Sequence, residues 1–144
     1  VFDYQILKEH LIISKKYLKR GENIININFA SPIKTSGSAI TRYIDKEDGS
    51  EYIYSLFVPS DASTAFPVFD QPDLKARFSL SLTVPKEWNV VSNTRPTEQT
   101  VWGKDAKGND LSWKPYTYTF GETKPISSYV FAFATGNFTE VVNN

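Results

Sequence analysis

The sequence predicts an all-β fold, a largely antiparallel sandwich of roughly eight to ten strands with at most short helical turns. Apolar and polar residues alternate in several segments, for example over residues 78–84, and this period of two is the pattern of a half-buried strand. Aromatic residues make up 15% of the 144 residues. Turn signals recur at the spacing of about 8–12 residues that is typical of sandwiches and barrels. These features favour strands over helices along the whole chain.

The first half of the chain alternates apolar segments with polar turns. In residues 24–29, the side chains of Ile25, Ile27 and Phe29 share one face of an expected strand. The polar stretch at residues 45–50 predicts the turn of a hairpin. Ser60 or Asp61 is expected to cap one short helical turn. The expected strand segments in this half are residues 2–6, 11–13, 24–29, 40–44 and 51–57.

The second half of the chain continues the strand pattern. Residues 78–84 and 88–92 predict two strands, and the polar turn at residues 104–110 predicts a hairpin between residues 100–102 and 111–113. Residues 116–120 alternate aromatic residues with threonine. Both faces of residues 129–134 are apolar, so we expect a central strand that is covered on both sides.

The composition excludes several classes of function. The 16 basic and 16 acidic residues give no net charge, so nucleic acid is not an expected partner. The chain has no cysteine, which rules out disulfides and thiolate zinc sites. No apolar run reaches the roughly 18 residues of a membrane span. The compartment, cytoplasm or periplasm, stays open.

The chain is expected to be a single domain cut from a longer protein. Its 144 residues suit one domain. It begins with Val1 and contains no methionine. Residues 2–6 already alternate as in an ordered strand. A fragment would leave strand edges or apolar faces exposed, so we also expect self-association.

The sequence offers little catalytic chemistry. His10 is the single histidine, and a metal site or a serine triad would need more ligands or partners than it provides. Asp70 and Asp73 are expected to cap backbone N–H groups of a proline turn, and Arg77 to pair with one of them. An alternative is a carbohydrate platform. Its candidate residues are Trp88, Trp102 and Trp113, together with tyrosines.

The most distinctive motif is Phe-Pro-Val-Phe-Asp-Gln-Pro at residues 66–72. Its two prolines predict a rigid, partly buried turn. The motif resembles Phe-Pro-Cys-Phe-Asp-Glu-Pro in the N-terminal domain of the aminopeptidase N-like zinc metallopeptidase family, which includes leukotriene hydrolase. Further segments fit the family in order along the chain. They are Leu18 to Phe29, Ser38 to Arg42, Asp73 to Phe78, Val84 to Pro85, Val91 to Asn93 and Thr123 to Phe133.

The resemblance implies a saddle-shaped β domain without catalytic residues of its own. The zinc-binding and catalytic residues of the family belong to the next domain, so we expect no metal in residues 1–144 and zinc in the parent protein. The implied partners are the parent's own catalytic domain and a peptide substrate. The motif residues are expected to be structural and to shape a cleft wall. They are Phe66, Pro67, Phe69, Asp70, Pro72 and Lys75.

One departure from the family pattern concerns the substrate. The resemblance implies that polar residues ten and eight positions before Phe66 help to hold the free amine of the substrate. Leu56 and Val58 occupy these positions here, and neither side chain can accept a hydrogen bond from an ammonium group. Three hypotheses for the function therefore stay open. The chain is a domain of a zinc aminopeptidase, a scaffold domain of an inert relative, or a free-standing binding module.

Overall fold

The computed structural model describes residues 3–104, 107–110 and 115–141. The chain divides into two compact units, Val1–Ala30 and Ser31–Asn144. The first unit holds an antiparallel hairpin of β1 (Tyr4–Leu7) and β2 (His10–Ile13), followed by a single 3₁₀ turn at Lys15–Tyr17. Lys8 and Glu9 form the two-residue turn of the hairpin with φ values of 47° and 65°. This left-handed geometry matches the twist of a tight hairpin, although asparagine and glycine adopt it at lower cost.

The strand predicted at residues 24–29 is wrong. The described residues provide this segment with no ladder partner, and it lies in neither strand nor helix. Its apolar side chains are exposed, from 38% at Ile27 to 84% at Ile24. Alternation predicts which side chains share a face, but a strand forms only where a second strand pairs with its backbone.

The second unit holds two antiparallel sheets of four and three strands. With β1 and β2 of the first unit, the described residues form nine strands, which confirms the all-β prediction. The four-stranded sheet has the order β3–β4–β9–β6 and the three-stranded sheet the order β5–β8–β7. One short helix, α1, precedes β5. The bounds are β3 Ile40–Ile44, β4 Glu51–Ser55, α1 Ala62–Ala65, β5 Ser81–Val84, β6 Asn89–Ser92, β7 Pro96–Val101, β8 Tyr116–Phe120 and β9 Phe133–Gly136.

The predicted hairpin around residues 45–50 is confirmed. β3 and β4 pair antiparallel with Tyr43 opposite Tyr52, and the Asp45 N–H donates to the Ser50 carbonyl at 2.8 Å. The second predicted hairpin is only partly described. Lys104 and Asp110 form an antiparallel bridge across its turn, whereas residues 111–113 lie outside the described residues.

The C-terminal strand is shorter than predicted. Ser128–Val130 forms a 3₁₀ turn, and β9 begins only at Phe133. β9 lies between β4 and β6, so its predicted central position in a sheet is confirmed. Within β9, Thr135 and Gly136 are buried and Phe133 and Ala134 are half-buried. Tyr129 and Val130, which the prediction included in the strand, lie in the 3₁₀ turn and are 37% and 43% exposed. Hydrogen bonds from Ser127 and Ser128 to the proline turn accompany the tightened backbone there.

Aromatic rings build the larger part of the core. The ring of Phe78 stacks on Phe131 at 4.6 Å, and Phe66 meets both rings edge-on. Phe57 is 1% exposed and packs against Phe66 and Phe131. A second cluster joins Val84, Val90 and Phe120, which come from both sheets. Edge-to-face and stacked pairs stabilise such a core by about 0.5–1.5 kcal/mol each beyond the burial of their area.

Candidate functional site

An apolar bend, defined here as Leu56, Phe57 and Val58, follows directly after β4. Phe57 is buried in the aromatic core, whereas Leu56 and Val58 are 57% and 54% exposed. The Leu56 N–H donates to the Ala39 carbonyl at 2.8 Å, which extends the pairing one residue past β4. The bend therefore holds two apolar side chains in solvent next to a well-anchored phenylalanine.

The proline turn, residues 66–72, lies next along the chain after α1. Phe66 and Val68 pack against the aromatic core. Pro67 and Pro72 are exposed, and Phe69 is 81% exposed. The turn therefore contributes alternate side chains to the core and presents the others to solvent, and Phe69 is a large apolar side chain with almost no cover in this chain.

Asp70 connects the proline turn to two other segments. Its Oδ2 accepts a 3.0 Å hydrogen bond from the N–H of Ser63 in the first turn of α1. Its Oδ1 accepts a 2.5 Å hydrogen bond from the hydroxyl of Ser128. Asp61 is the N-terminal flanking residue of α1, as predicted, but its side chain makes no cap hydrogen bond. Asp70 thus performs the capping role from nine positions further along the chain.

Further bonds hold the proline turn against residues 126–128. The Ser127 hydroxyl donates to the Pro72 carbonyl at 2.5 Å. Ala76 and Ile126 form an antiparallel bridge with both N–H groups donating, at 3.0 and 2.9 Å. The two segments that carry most of the family resemblance are therefore in direct contact in the fold.

The predicted pairing of Arg77 with Asp70 or Asp73 is wrong. Arg77 Nη1 lies 3.6 Å from Glu122 Oε1 and donates to the Thr123 carbonyl at 3.4 Å. Lys75 is exposed, and its backbone N–H donates to the Asp73 carbonyl at 3.0 Å. Asp70 already accepts hydrogen bonds from the Ser63 N–H and the Ser128 hydroxyl, so its carboxylate is paired without an arginine.

The four-stranded sheet turns an apolar surface to solvent, called here the outer face and defined by Tyr43, Tyr54 and Val91. Tyr54 and Val91 both lie opposite Ala134 of β9, so they share one side of the sheet. They are 40% and 56% exposed, and Tyr43 is 49% exposed. The other side of this sheet carries core residues, among them Val90.

Charge is paired at the end of the β3–β4 hairpin. Arg42 Nε and Nη2 donate to the two carboxylate oxygens of Glu51 at 2.5 and 2.8 Å. The hydrogen bond from Arg42 is the largest effect on Glu51 and lowers the pKa of its carboxyl. Burial raises this pKa by less, and charge attraction to Arg42 lowers it by less still. This bidentate pair is partly exposed, with Glu51 half-buried, and it positions the hairpin without forming a reactive group.

The described residues do not fit a metal centre. They contain no group of three or more histidine, cysteine, aspartate and glutamate residues placed to hold an ion. His10 is exposed, and its Nδ1 lies 2.6 Å from the Lys8 carbonyl. The described part of the chain also has no helix long and apolar enough to cross a membrane.

The tryptophans occupy different environments. Trp88 packs against the second core cluster, and its carbonyl accepts a 3.2 Å hydrogen bond from Tyr118. Trp102 is 49% exposed, and its Nε1 donates to Thr117 at 2.7 Å. Trp113 lies outside the described residues. Trp88 and Trp102 therefore do not form an exposed row.

Together, the fold and this site define a β domain with an aromatic core, an exposed apolar bend and a tied proline turn. A model of the peptidase M1 N-terminal domain matches residues 2–130. The chain belongs to this family of aminopeptidase domains.

Several curated aminopeptidases are similar to the chain. Aminopeptidase N of Streptomyces lividans is 33% identical over 121 residues, which cover 84% of this chain and 12% of that protein. Probable M1 family aminopeptidase 1 of Encephalitozoon cuniculi (strain GB-M1) is 31% identical over 128 residues, covering 87% and 13%. Glutamyl aminopeptidase of Homo sapiens is 30% identical over 123 residues, covering 84% and 12%. The chain thus spans about an eighth of the length of these relatives.

The exposure of Phe69 and the contact between Asp70 and Ser128 were not predicted from the sequence. Phe69 was expected to help shape a wall, and only the structure places its ring almost fully in solvent. The Asp70–Ser128 contact spans 58 positions, and no local pattern identifies a partner at that distance. The one available signal was that both residues lie in segments that resemble the same family.

Proposed function

We propose that this chain is the non-catalytic N-terminal β domain of a zinc-dependent aminopeptidase, a hydrolase that removes N-terminal residues from peptides. Family membership supports the proposal, because the match covers residues 2–130. Both compact units would belong to this one domain. Zinc would be held by a catalytic domain of the parent protein, as the family resemblance implies.

The outer face is the surface that we assign to packing against the catalytic domain. Tyr43, Tyr54 and Val91 present apolar area on a regular sheet, where a partner surface can lie flat. Burying such area yields about 25 cal/mol per Å². Exposed apolar patches on sheets commonly mark protein contacts.

The apolar bend is the part that we assign to the wall of the substrate cleft. Leu56 and Val58 are held in solvent by the burial of Phe57 between them. Neither side chain offers an oxygen or nitrogen to an ammonium group. They would therefore contact apolar parts of the substrate, and the free amine would be bound by acceptors outside this chain.

The observation that carries the proposal is the family match together with the exposure of Leu56 and Val58. The test uses the full-length parent protein with the single substitutions Leu56→Ser and Val58→Ser. Loss of apolar contact with the substrate should raise KM for aminoacyl substrates about fivefold, with a smaller change in kcat. Val101→Ser is the matched control, because Val101 is equally exposed at 56% but lies on β7 in the other sheet.

The results test the cleft-wall assignment of Leu56 and Val58 separately from the proposal that the parent protein is an aminopeptidase. Unchanged KM in both variants of an active enzyme would reject the wall assignment alone. An equal effect of Val101→Ser would show a general loss of stability rather than a contact with substrate. Absence of peptidase activity in the wild-type parent would reject the aminopeptidase proposal and favour the inert scaffold relative.

A further inference from the structure

The short helix α1 is one support of the apolar bend. The N–H of Asp61, at the start of α1, donates to the Phe57 carbonyl at 2.9 Å. Ala62 and Ala65 of α1 are 0% and 4% exposed and belong to the same core cluster as Phe57. A helix of four residues is not stable on its own. Its position, and with it the backbone of the bend, therefore depends on bonds from other segments.

The ring of Phe131 is a second support of the bend. It lies nearly parallel to the ring of Phe57, with 6.2 Å between the two centroids. The Phe131 N–H donates to the Ser128 carbonyl at 3.1 Å, at the end of the 3₁₀ turn Ser128–Val130. Ser128 is 2% exposed, so the turn that places the Phe131 ring is itself held in the interior.

The carboxylate of Asp70 binds both supports. One oxygen accepts the Ser63 N–H of α1 at 3.0 Å, and the other accepts the Ser128 hydroxyl at 2.5 Å. Because both oxygens belong to one rigid group, the carboxylate sets the distance between α1 and the 3₁₀ turn. Hydrogen bonds to an ionised acceptor are about twice as strong as neutral ones, so this link resists displacement.

We infer that Asp70 is a positioning residue for the cleft wall. It fixes α1 and the 3₁₀ turn relative to each other, and these two elements hold the backbone and the ring of Phe57. The exposed side chains of Leu56 and Val58 are thereby kept in one place toward the substrate. Asp70 acts only through the bend, since both its oxygens already accept hydrogen bonds. The inference rests on the proposed function, because it takes the bend to contact substrate.

Loss of the carboxylate should weaken substrate binding in the full-length parent protein. Asp70→Ala should raise KM for aminoacyl substrates about threefold with a smaller change in kcat, because a displaced wall loses apolar contact with the substrate. Asp70→Asn should restore most of the wild-type KM, since its amide oxygen can accept the Ser63 N–H and its NH₂ group can donate to the Ser128 hydroxyl oxygen. Unchanged KM in Asp70→Ala of an active parent protein would overturn the inference.

Removal of the wall side chains tests whether Asp70 acts through the bend. In a parent protein that carries Leu56→Ser and Val58→Ser, Asp70→Ala should raise KM no further, because the contact that it positions is already lost. A further threefold rise would show that Asp70 acts by another route and would overturn the inference.

Val84→Ala is the control for a general loss of stability. Val84 is 4% exposed in the second core cluster, which does not include the bend. Its truncation leaves a cavity and lowers the melting temperature, but KM should equal that of the wild type. An equal rise of KM in Val84→Ala would overturn the assignment of Asp70. Should Asp70→Ala fail to fold, Ser128→Ala removes only one of the two hydrogen bonds and should give a smaller rise of KM in the same direction.

Amide exchange tests the positioning without peptidase activity. The Asp61 N–H reports the bond between α1 and the bend. Followed by NMR in the 144-residue chain, it should exchange several-fold faster in Asp70→Ala than in Val84→Ala, because local opening exposes it. Equal exchange would overturn the inference even for an active parent protein. Faster exchange together with an inactive wild-type parent would support the positioning of the bend by Asp70 and reject the aminopeptidase proposal alone.

Discussion

The hydroxyl of Ser128 donates a 2.5 Å hydrogen bond to Oδ1 of Asp70, across 58 positions of the chain. The second oxygen of the same carboxylate accepts the N–H of Ser63 at the start of α1. One half-buried side chain therefore joins the proline turn, the short helix and the 3₁₀ turn before β9. Hydrogen bonds to a charged group are the stronger ones in proteins.

Removing this carboxylate should destabilise the fold. Asp70→Ala leaves the Ser63 N–H and the Ser128 hydroxyl without their acceptor, so the free energy of unfolding should fall by roughly 1.5–3 kcal/mol. Ser128→Ala should cost about 1–2 kcal/mol. Urea denaturation of each single variant and of the double variant measures the coupling between the two residues, which should exceed about 0.5 kcal/mol.

Asp73→Ala serves as the control for the Asp70 prediction. Asp73 is exposed in the same turn, and its substitution should change stability by less than about 0.5 kcal/mol. Strict additivity of Asp70→Ala and Ser128→Ala would contradict the coupling. So would an equal loss in Asp73→Ala.

Gly136→Ala should be strongly destabilising. A methyl group at residue 136 would lie 2.4 Å from Cδ1 of Tyr52 and 2.8 Å from the Glu51 carbonyl oxygen, which requires β4 and β9 to move apart. Overpacking of this kind costs about 1–3 kcal/mol. Thermal unfolding followed by circular dichroism checks the prediction against Gly103→Ala, since a methyl group there meets no atom within 4 Å. A melting temperature for Gly136→Ala equal to that of the control would show that the sheet yields easily.

The Arg42–Glu51 pair should contribute a pH-dependent term to stability. The hydrogen bond from Arg42 lowers the pKa of Glu51 in the folded chain, so the unfolded chain binds the extra proton first as the pH falls. The contribution is complete above the unfolded pKa, ordinarily about 4.3, and is lost as the pH falls through the lower folded pKa. The advantage of the wild type over Glu51→Gln in urea denaturation should therefore disappear at acidic pH.

A direct titration checks the cause of this pH dependence. The Glu51 carboxylate, followed by NMR, should titrate below its usual range in the wild type. In Arg42→Gln its midpoint should move up, because the hydrogen bond that lowers it is absent. An unchanged midpoint in Arg42→Gln would contradict the assigned cause.

The β1–β2 hairpin should gain stability from a better turn. Lys8 and Glu9 hold φ values of 47° and 65°, which asparagine and glycine adopt more readily. Lys8→Asn combined with Glu9→Gly should stabilise the hairpin by about 0.5–1 kcal/mol, visible as slower amide exchange in β1 and β2. Lys15→Asn, outside the turn, should have no such effect. Faster exchange in the turn variant would contradict the I′-type geometry.

Local sequence patterns predicted much of this fold because the responsible interactions are local. The alternation in residues 40–44 and 51–57, with a polar turn between them, was sufficient for the β3–β4 hairpin. The same alternation gave a wrong strand prediction at residues 24–29. A strand also needs a second strand to pair with its backbone, and a local sequence pattern does not specify that partner. The 3₁₀ turn at Ser128–Val130 escaped prediction for a similar reason, since its hydrogen bonds to the proline turn join distant segments.

The candidate site was located by resemblance rather than by residue chemistry. Leu56 and Val58 carry no reactive group, and their exposure on either side of the buried Phe57 emerged only from the structure. Asp70 was expected to cap local backbone groups. Its carboxylate accepts the Ser63 N–H of α1 instead, and Asp61 makes no side-chain cap hydrogen bond there.

Hydrolysis of an aminoacyl p-nitroanilide tests whether the parent protein is a zinc aminopeptidase and residues 1–144 are its non-catalytic domain. The full-length parent protein and residues 1–144 alone are compared, each with and without a zinc chelator. We expect chelator-sensitive hydrolysis by the parent protein and none by residues 1–144. Hydrolysis by residues 1–144 alone, or an inactive parent protein, would contradict it.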